Sequence, residues 1–211
     1  MTAAAIVFLS LAGLMAVLDW VAVARRHAVL EYVSKPAATV ALLLTAASFD
    51  VAHDATWGLL LAALVLCLAG DVFLMLPRDA FVPGLGSFAV AQVVFAVAFL
   101  AADPEVSRFG IGLIVVAPVA AVLAQRFVRA IRSSGHGDLV VPVVVYLVVI
   151  CAMAVSAIAG ASAIAIAGAV AFMVSDSLIA ESRFVRERPW HGVAIMVTYH
   201  LALAGLVLGL L

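Results

Sequence analysis

Three carboxylates stand where water should be scarce: Asp19, Asp71 and Asp176 all fall inside long apolar runs. An ionisable side chain at such a depth costs roughly 2.5–3.5 kcal/mol on insertion scales, so each is a functional candidate before it is anything else. Two carboxylates in different surroundings can share the work of acid/base chemistry, one giving a proton and the other taking it. Asp19, beside Trp20, also suits an interfacial pairing at a helix end. For Asp71 and Asp176 a structural salt bridge or hydrogen bond is the lesser reading, and they are the candidate acid and base.

Their depths agree. Asp19 lies six residues before Arg25, Asp71 seven before Arg78 and Asp176 seven before Arg183. At 1.5 Å of rise per residue each comes out about 10 Å inside the basic end of its helix. Tyr146, counted from Leu139, reaches the same level; Tyr199 and His200 lie a little deeper and Gln92 near mid-membrane. Unrelated polar residues would scatter over the full thickness, whereas these define a layer, as a polar cavity would. Gly70-Asp71-Val72-Phe73-Leu74 and Ser175-Asp176-Ser177-Leu178-Ile179 resemble each other. They fall in the third and seventh spans, which permits two four-helix halves built as a repeat. His200 with a carboxylate and water is compatible with a zinc site, but no paired-histidine spacing accompanies it, and Cys67 and Cys151 stand alone in apolar runs. No metal and no cofactor is expected.

The elements that must position these groups are membrane helices. The 211 residues are 68% hydrophobic and 11% charged, against roughly 45–50% and 25% for a soluble domain. A net charge of −1 gives no reason to expect a nucleic-acid partner. A bilayer core about 30 Å thick needs about 20 apolar residues per helix. The runs at 3–24, 35–49, 57–77, 81–102, 109–126, 139–159, 162–182 and 190–211 supply eight spans. They are continuously apolar rather than alternating, which favours helices over a barrel. The expected fold is an all-α bundle of eight transmembrane helices in a single domain, 1–211. The first run lacks a basic segment before it and has Arg25 and Arg26 after it, so it reads as a retained helix and not a leader.

Ten of the 11 Lys and Arg fall in the first, third, fifth and seventh connections. The positive-inside rule then puts both termini outside the cytoplasm, and the polar layer toward the cytoplasmic face of a bacterial-type plasma membrane. The arginines from Arg126 to Arg132 serve mainly as that topology signal, with headgroup attraction as the lesser option. Pro118 and Pro142 are tolerable kinks, and Gly205-x-x-x-Gly209 would let the last helix approach a neighbour closely.

Several segments together resemble the YhhN-like lysoplasmalogenase family. They are Lys35-Pro36 opening the second span, Gly70-Asp71-x-x-Leu74-Met75 closing the third, Pro142-x-x-x-Tyr146 in the sixth, Gly168 through Phe172 and Ser175-Asp176-Ser177-Leu178 to Arg183-Phe184 in the seventh, and Met196-x-Thr198-Tyr199 in the eighth. The likeness covers most of the chain in order. The family often has a histidine where Gln92 stands and a second aromatic where His200 stands.

The resemblance implies a membrane-embedded hydrolase that cleaves the vinyl ether of a lysoplasmalogen to a fatty aldehyde and a glycerophospho-headgroup. Asp71 and Asp176 would be its acid/base pair, with Gln92, Tyr146, Ser175, Ser177, Tyr199 and His200 around the substrate. Lys35 would meet the lipid phosphate, and the partners would be a lysophospholipid and the bilayer. A metal-dependent lipid hydrolase and a proton-coupled carrier are the alternatives the same residues leave open.

Overall fold

The computed structural model describes residues 1–51, 54–77, 80–102 and 104–211. Arg78, used above to place Asp71 in depth, lies outside the described residues. Among the described residues the chain forms α1 (Ala3–Ala24), α2 (Ala28–Ala47), α3 (Ala55–Met75), α4 (Phe81–Ala101), α5 (Val106–Ser133), α6 (Val140–Gly160), α7 (Ala163–Ala180) and α8 (His191–Leu210). A 3₁₀ turn, Gly137–Leu139, precedes α6, and a π-helical turn, Glu181–Val185, extends α7. Eight of these helical segments are long and apolar enough to cross a membrane.

Local chemistry marks several helix starts. Thr2 Oγ1 accepts the Ala5 amide at 3.0 Å, Asp54 Oδ1 the Trp57 amide at 2.9 Å, and Ser162 Oγ the Ala165 amide at 3.3 Å. At the end of α5, Gly135 takes φ +80°, the left-handed conformation glycine adopts without strain. The His136 amide then returns to the Ile131 carbonyl and the Gly135 amide to the Arg132 carbonyl, a Schellman closure.

Two spans differ from expectation. The second was expected at 35–49 but begins at Ala28, because Ser34 and Lys35 turn inward and find partners there, so a stretch that reads as polar connection is helix. The fifth was expected at 109–126 but runs from Val106 to Ser133. Arg126, Arg129 and Arg132 therefore lie on its last two turns and not in a loop.

Consecutive helices pair most extensively: α1 with α2, α3 with α4, α5 with α6, and α7 with α8. The two halves of the chain interleave, since α8 packs on α1, α2 and α3 as well as α7, and α4 packs on α6. α5 is peripheral, running along α6 and meeting the π-helical turn. Phe95, Phe99, Phe172, Leu60, Leu64, Leu203 and Leu206 form the fully buried centre, whereas Ile114, Val122 and Val148 face outward.

The tightest approach is α7 on α8. A Cβ at Gly168 would stand 2.8 Å from the Leu206 nitrogen and 2.9 Å from the Ala202 carbonyl oxygen, and one at Gly205 would stand 2.9 Å from the Gly168 Cα. The obstruction is backbone, which cannot swing aside. Gly168→Val should force α7 away from α8 and lower stability by about 1–3 kcal/mol, read as a fall in thermal midpoint in detergent; an unchanged midpoint would show that the two helices part freely.

Candidate active site

Asp71 stands one turn from the end of α3 and is fully buried. Its Oδ2 accepts hydrogen bonds from Thr39 Oγ1 of α2 and from the Tyr199 hydroxyl of α8, each at 2.8 Å. Lys35 Nζ lies 3.4 Å from Oδ1, with 6% of its side chain exposed. Lys35 and Thr39 are four residues apart and so share one face of α2. A buried carboxylate is tolerable only when paired and hydrogen-bonded, and helices from three parts of the chain converge to do this.

The rings around Tyr199 hold it in place. Phe88 meets it edge-on with centroids 5.9 Å apart, Phe172 meets it edge-on at 5.7 Å, and Phe88 and Phe172 meet each other at 6.1 Å. Gly70 admits the Phe88 ring, since a Cβ there would stand 2.6 Å from it.

Two further pairs sit beside this cluster. Ser34 Oγ lies 3.0 Å from Asp19 Oδ1, and Trp20 Nε1 donates to His200 Nδ1 at 3.0 Å. Indole N–H is only a donor, so His200 Nδ1 is an acceptor and the neutral ring carries its proton on Nε2. That nitrogen is buried and has no hydrogen-bond partner among the described residues.

Asp176, on α7, receives a short hydrogen bond from the Tyr146 hydroxyl of α6 on its Oδ2. It opens on a cavity of ≈ 40 Å³ walled by Leu74, Phe81, Leu85, Phe88 and Tyr146, and on a second of ≈ 30 Å³ walled by Phe127, Ile150, Met173 and Ser177. Both are too small for a lipid but sufficient for water, which needs roughly 10–15 Å³ of such space. Gln92 is fully buried near the Tyr146 hydroxyl, and neither atom of its amide has a hydrogen-bond partner among the described residues.

The two aspartates are not in direct contact. Among the described residues no hydrogen bond or ion pair joins them, and each has its own partners. Two features link their surroundings. Phe88 walls the Asp176 cavity and packs on Tyr199, which holds Asp71. Cys67, one turn before Asp71 and fully buried, lies within electrostatic reach of both carboxylates.

Lys35, expected to meet the lipid phosphate, lies two turns inside α2 and is buried against Asp71. Ser175 Oγ donates to the Ile195 carbonyl at 3.1 Å and so ties α7 to α8. Ser177 Oγ donates within its own helix, to Met173, while lining the smaller cavity. Sequence reasoning missed Thr39, Ser34 and Phe88. Thr39 was detectable as a polar residue one turn after Lys35; nothing local marks Phe88. Among the described residues no group of three or more His, Cys, Asp or Glu side chains is placed to hold a metal ion.

The Lys35–Asp71 pair generates a prediction. Lys35→Met alone leaves a buried charge unmatched and should cost about 3–5 kcal/mol. Adding Asp71→Asn should recover most of that loss in a double-mutant cycle of thermal stability, and strictly additive losses would show the two charges to be independent.

Comparison with known proteins follows the same helices. The YhhN family pattern matches residues 30–210, from the first turn of α2 to the end of α8. The chain is 32% identical over 182 residues to proteins named lysoplasmalogenase from Mycobacterium tuberculosis (strain CDC 1551 / Oshkosh) and Mycobacterium bovis, an overlap of 83% of this chain and 68% of each relative. It is 29% identical over 144 residues to the human protein named Lysoplasmalogenase TMEM86B, covering 68% of this chain and 59% of the human one. No solved structure matches. The match spans the helices that carry Lys35, Asp71, Tyr146, Asp176 and Tyr199: this chain belongs to the YhhN family.

Proposed function

We propose that the protein hydrolyses the vinyl ether bond of a lysoplasmalogen drawn from the bilayer, releasing a fatty aldehyde and a glycerophospho-headgroup. The observation that carries this reading is a carboxyl group, Asp176, oriented by Tyr146 and set beside water-sized space with otherwise apolar walls. The relatives' names supply the substrate class.

Cleavage of a vinyl ether begins with a proton delivered to the β-carbon. The electron pair of the double bond forms the new C–H bond, and the ether oxygen shares the resulting positive charge as an oxocarbenium ion. Water adds to the α-carbon and loses a proton. The hemiacetal then collapses, its hydroxyl proton passing to the departing glycerol oxygen, and one water is consumed overall. A sheltered site that meets the developing cation with fixed negative charge lowers the barrier because no solvent has to reorganise.

Asp176 is assigned as the proton donor, since it opens on the cavities and its second oxygen is not engaged by another described residue. Asp71, with its charge matched by Lys35 and its carboxylate oriented by Thr39 and Tyr199, is the second carboxylate. It is assigned as the acceptor of the proton lost by water, and passage of that proton to Asp176 before the next turnover returns both carboxyls to their starting states. The logic is that of the carboxylate pair in glycoside hydrolysis, where the cation is similar. Tyr146 and Tyr199 hold the two carboxyls; Gln92 and His200, with unpartnered buried polar atoms, are the remaining groups able to orient substrate or water.

Purified protein should release aldehyde from lysoplasmalogen and none from the saturated alkyl-ether lysolipid of the same length. In D₂O the aldehyde should carry one deuterium on the carbon next to the carbonyl, the mark of β-protonation. Asp176→Asn should lower kcat by about 10²–10⁴-fold while the protein still folds, and the Lys35→Met/Asp71→Asn pair, which removes both buried charges together, should do the same. Full turnover in either variant, or equal cleavage of both lipids, would reject the mechanism.

A further inference from the structure

A substrate bearing a phosphate needs a cation at the rim of the site, and Lys35 is committed to Asp71 inside it. The structure offers another. Arg126, near the end of α5, forms a two-pronged ion pair with Glu181 in the π-helical turn after α7: Nε to Oε2 at 2.7 Å and Nη2 to Oε1 at 2.6 Å. The Arg126 side chain is 50% exposed. Immediately behind the pair, a groove of ≈ 340 Å³ separates Val119, Leu123 and Phe127 of α5 from Met173, Val174 and Leu178 of α7. α5 packs along α6 and touches the π-helical turn, with little direct packing on α7, so the ion pair is the main strap across this side.

The groove shares a wall with the site: Phe127, Met173 and Ser177 line both it and the ≈ 30 Å³ cavity on which Asp176 and Tyr146 open. Asp176 and Glu181 are five residues apart on one helical stretch, about 7.5 Å of rise. In a lysoplasmalogen five bonds separate phosphorus from the vinyl ether oxygen, about 6 Å when extended at ordinary bond lengths. A phosphate held at Arg126 therefore puts the vinyl ether at the level of Asp176.

We propose that the α5–α7 groove is the lateral passage for a single-chain phospholipid and that Arg126 is its phosphate receptor, exchanging the Glu181 carboxylate for the phosphate. The identity of the lipid rests on the vinyl ether reading above; the passage itself does not. A guanidinium offers the same parallel pair of N–H donors to a phosphate as to a carboxylate. A half-exposed ion pair contributes little net stability, so the exchange is easy. Glu181 is not left bare when Arg126 turns away, because Arg188 and His191 also lie within its electrostatic reach. The exchange releases the strap as the ligand arrives and lets α5 lean away from α7 while the chain slides between Leu123 and Val174.

Binding of radiolabelled saturated alkyl-ether lysophosphocholine, which cannot be cleaved by this route, tests the passage apart from the chemistry. 1-Alkylglycerol of the same chain length serves as the phosphate-free probe and inorganic phosphate as competitor. Arg126→Gln should weaken lysophosphocholine binding at least tenfold and leave alkylglycerol binding as it was. Glu181→Gln, which frees Arg126, should bind lysophosphocholine as tightly as the parent or more so. Inorganic phosphate alone should not displace the lipid. Unchanged lysophosphocholine binding in Arg126→Gln overturns the assignment. So does equal weakening of both lipids in both variants, the behaviour of a strap that serves only stability, and so does displacement by inorganic phosphate. Aldehyde release from lysoplasmalogen is measured separately: its absence alongside Arg126-dependent binding would remove the reaction and keep the passage.

Discussion

A carboxylate enclosed among membrane helices must have its charge met by the protein, because neither water nor lipid will do it. At Asp71 this requirement gathers α2, α3 and α8 around one point: Lys35 supplies the opposite charge, and Thr39 and Tyr199 supply hydroxyl donors. Much of the neighbouring structure follows. Tyr199 must be held at its angle, so Phe88 and Phe172 pack on its ring, and Gly70 keeps the space Phe88 needs. The close seating of α8 on α7, made possible by Gly168, Gly205 and Gly209, belongs to the same arrangement, since α8 carries Tyr199 and His200. The charge pair is weak evidence for stability as such; its value is that it leaves these helices few alternative registers.

Asp176 lives under a different regime. It has a phenol for company and water-sized space beside it, with no cation in direct contact among the described residues. One fold thus holds two carboxyls in unlike surroundings, the first beside a lysine and accepting two hydroxyl hydrogen bonds on Oδ2, the second bonded to a phenol beside water-sized space. Division of labour in acid/base chemistry comes from such contrasts in surroundings and not from differences in residue type. Phe88, which touches both environments, is the mechanical link between them.

The cations divide in a parallel way. Lys35, on a flexible stem, reaches inward to a buried carboxylate, while Arg126, with its planar fork half-exposed, holds the Glu181 carboxylate with two parallel hydrogen bonds. The π-helical turn after α7 opens on Glu181, the residue that pairs with Arg126 of α5. Such turns inside helices are frequent at functional sites.

Composition and the length of the apolar runs by themselves determined an all-helical protein of eight spans, and the distance of each aspartate from its flanking arginine gave the expectation of a shared polar level. Both are one-dimensional quantities, set by bilayer thickness and helical rise, and so they can be counted along the chain. The ends of α2 and α5 were misread for a related reason. Lys35 and Ser34 resemble connection residues until Asp71 and Asp19 are seen to receive them, and the arginines of α5 resemble a loop although they continue a helix. Only the tertiary structure decided which polar groups meet. It drew Lys35 to Asp71, gave Asp71 and Asp176 separate partners, and set Arg126 against Glu181 across 55 residues of chain. Those choices depend on the rotation of each helix about its axis and on its neighbours, which packing against the other helices sets and which hydropathy along a single helix does not encode.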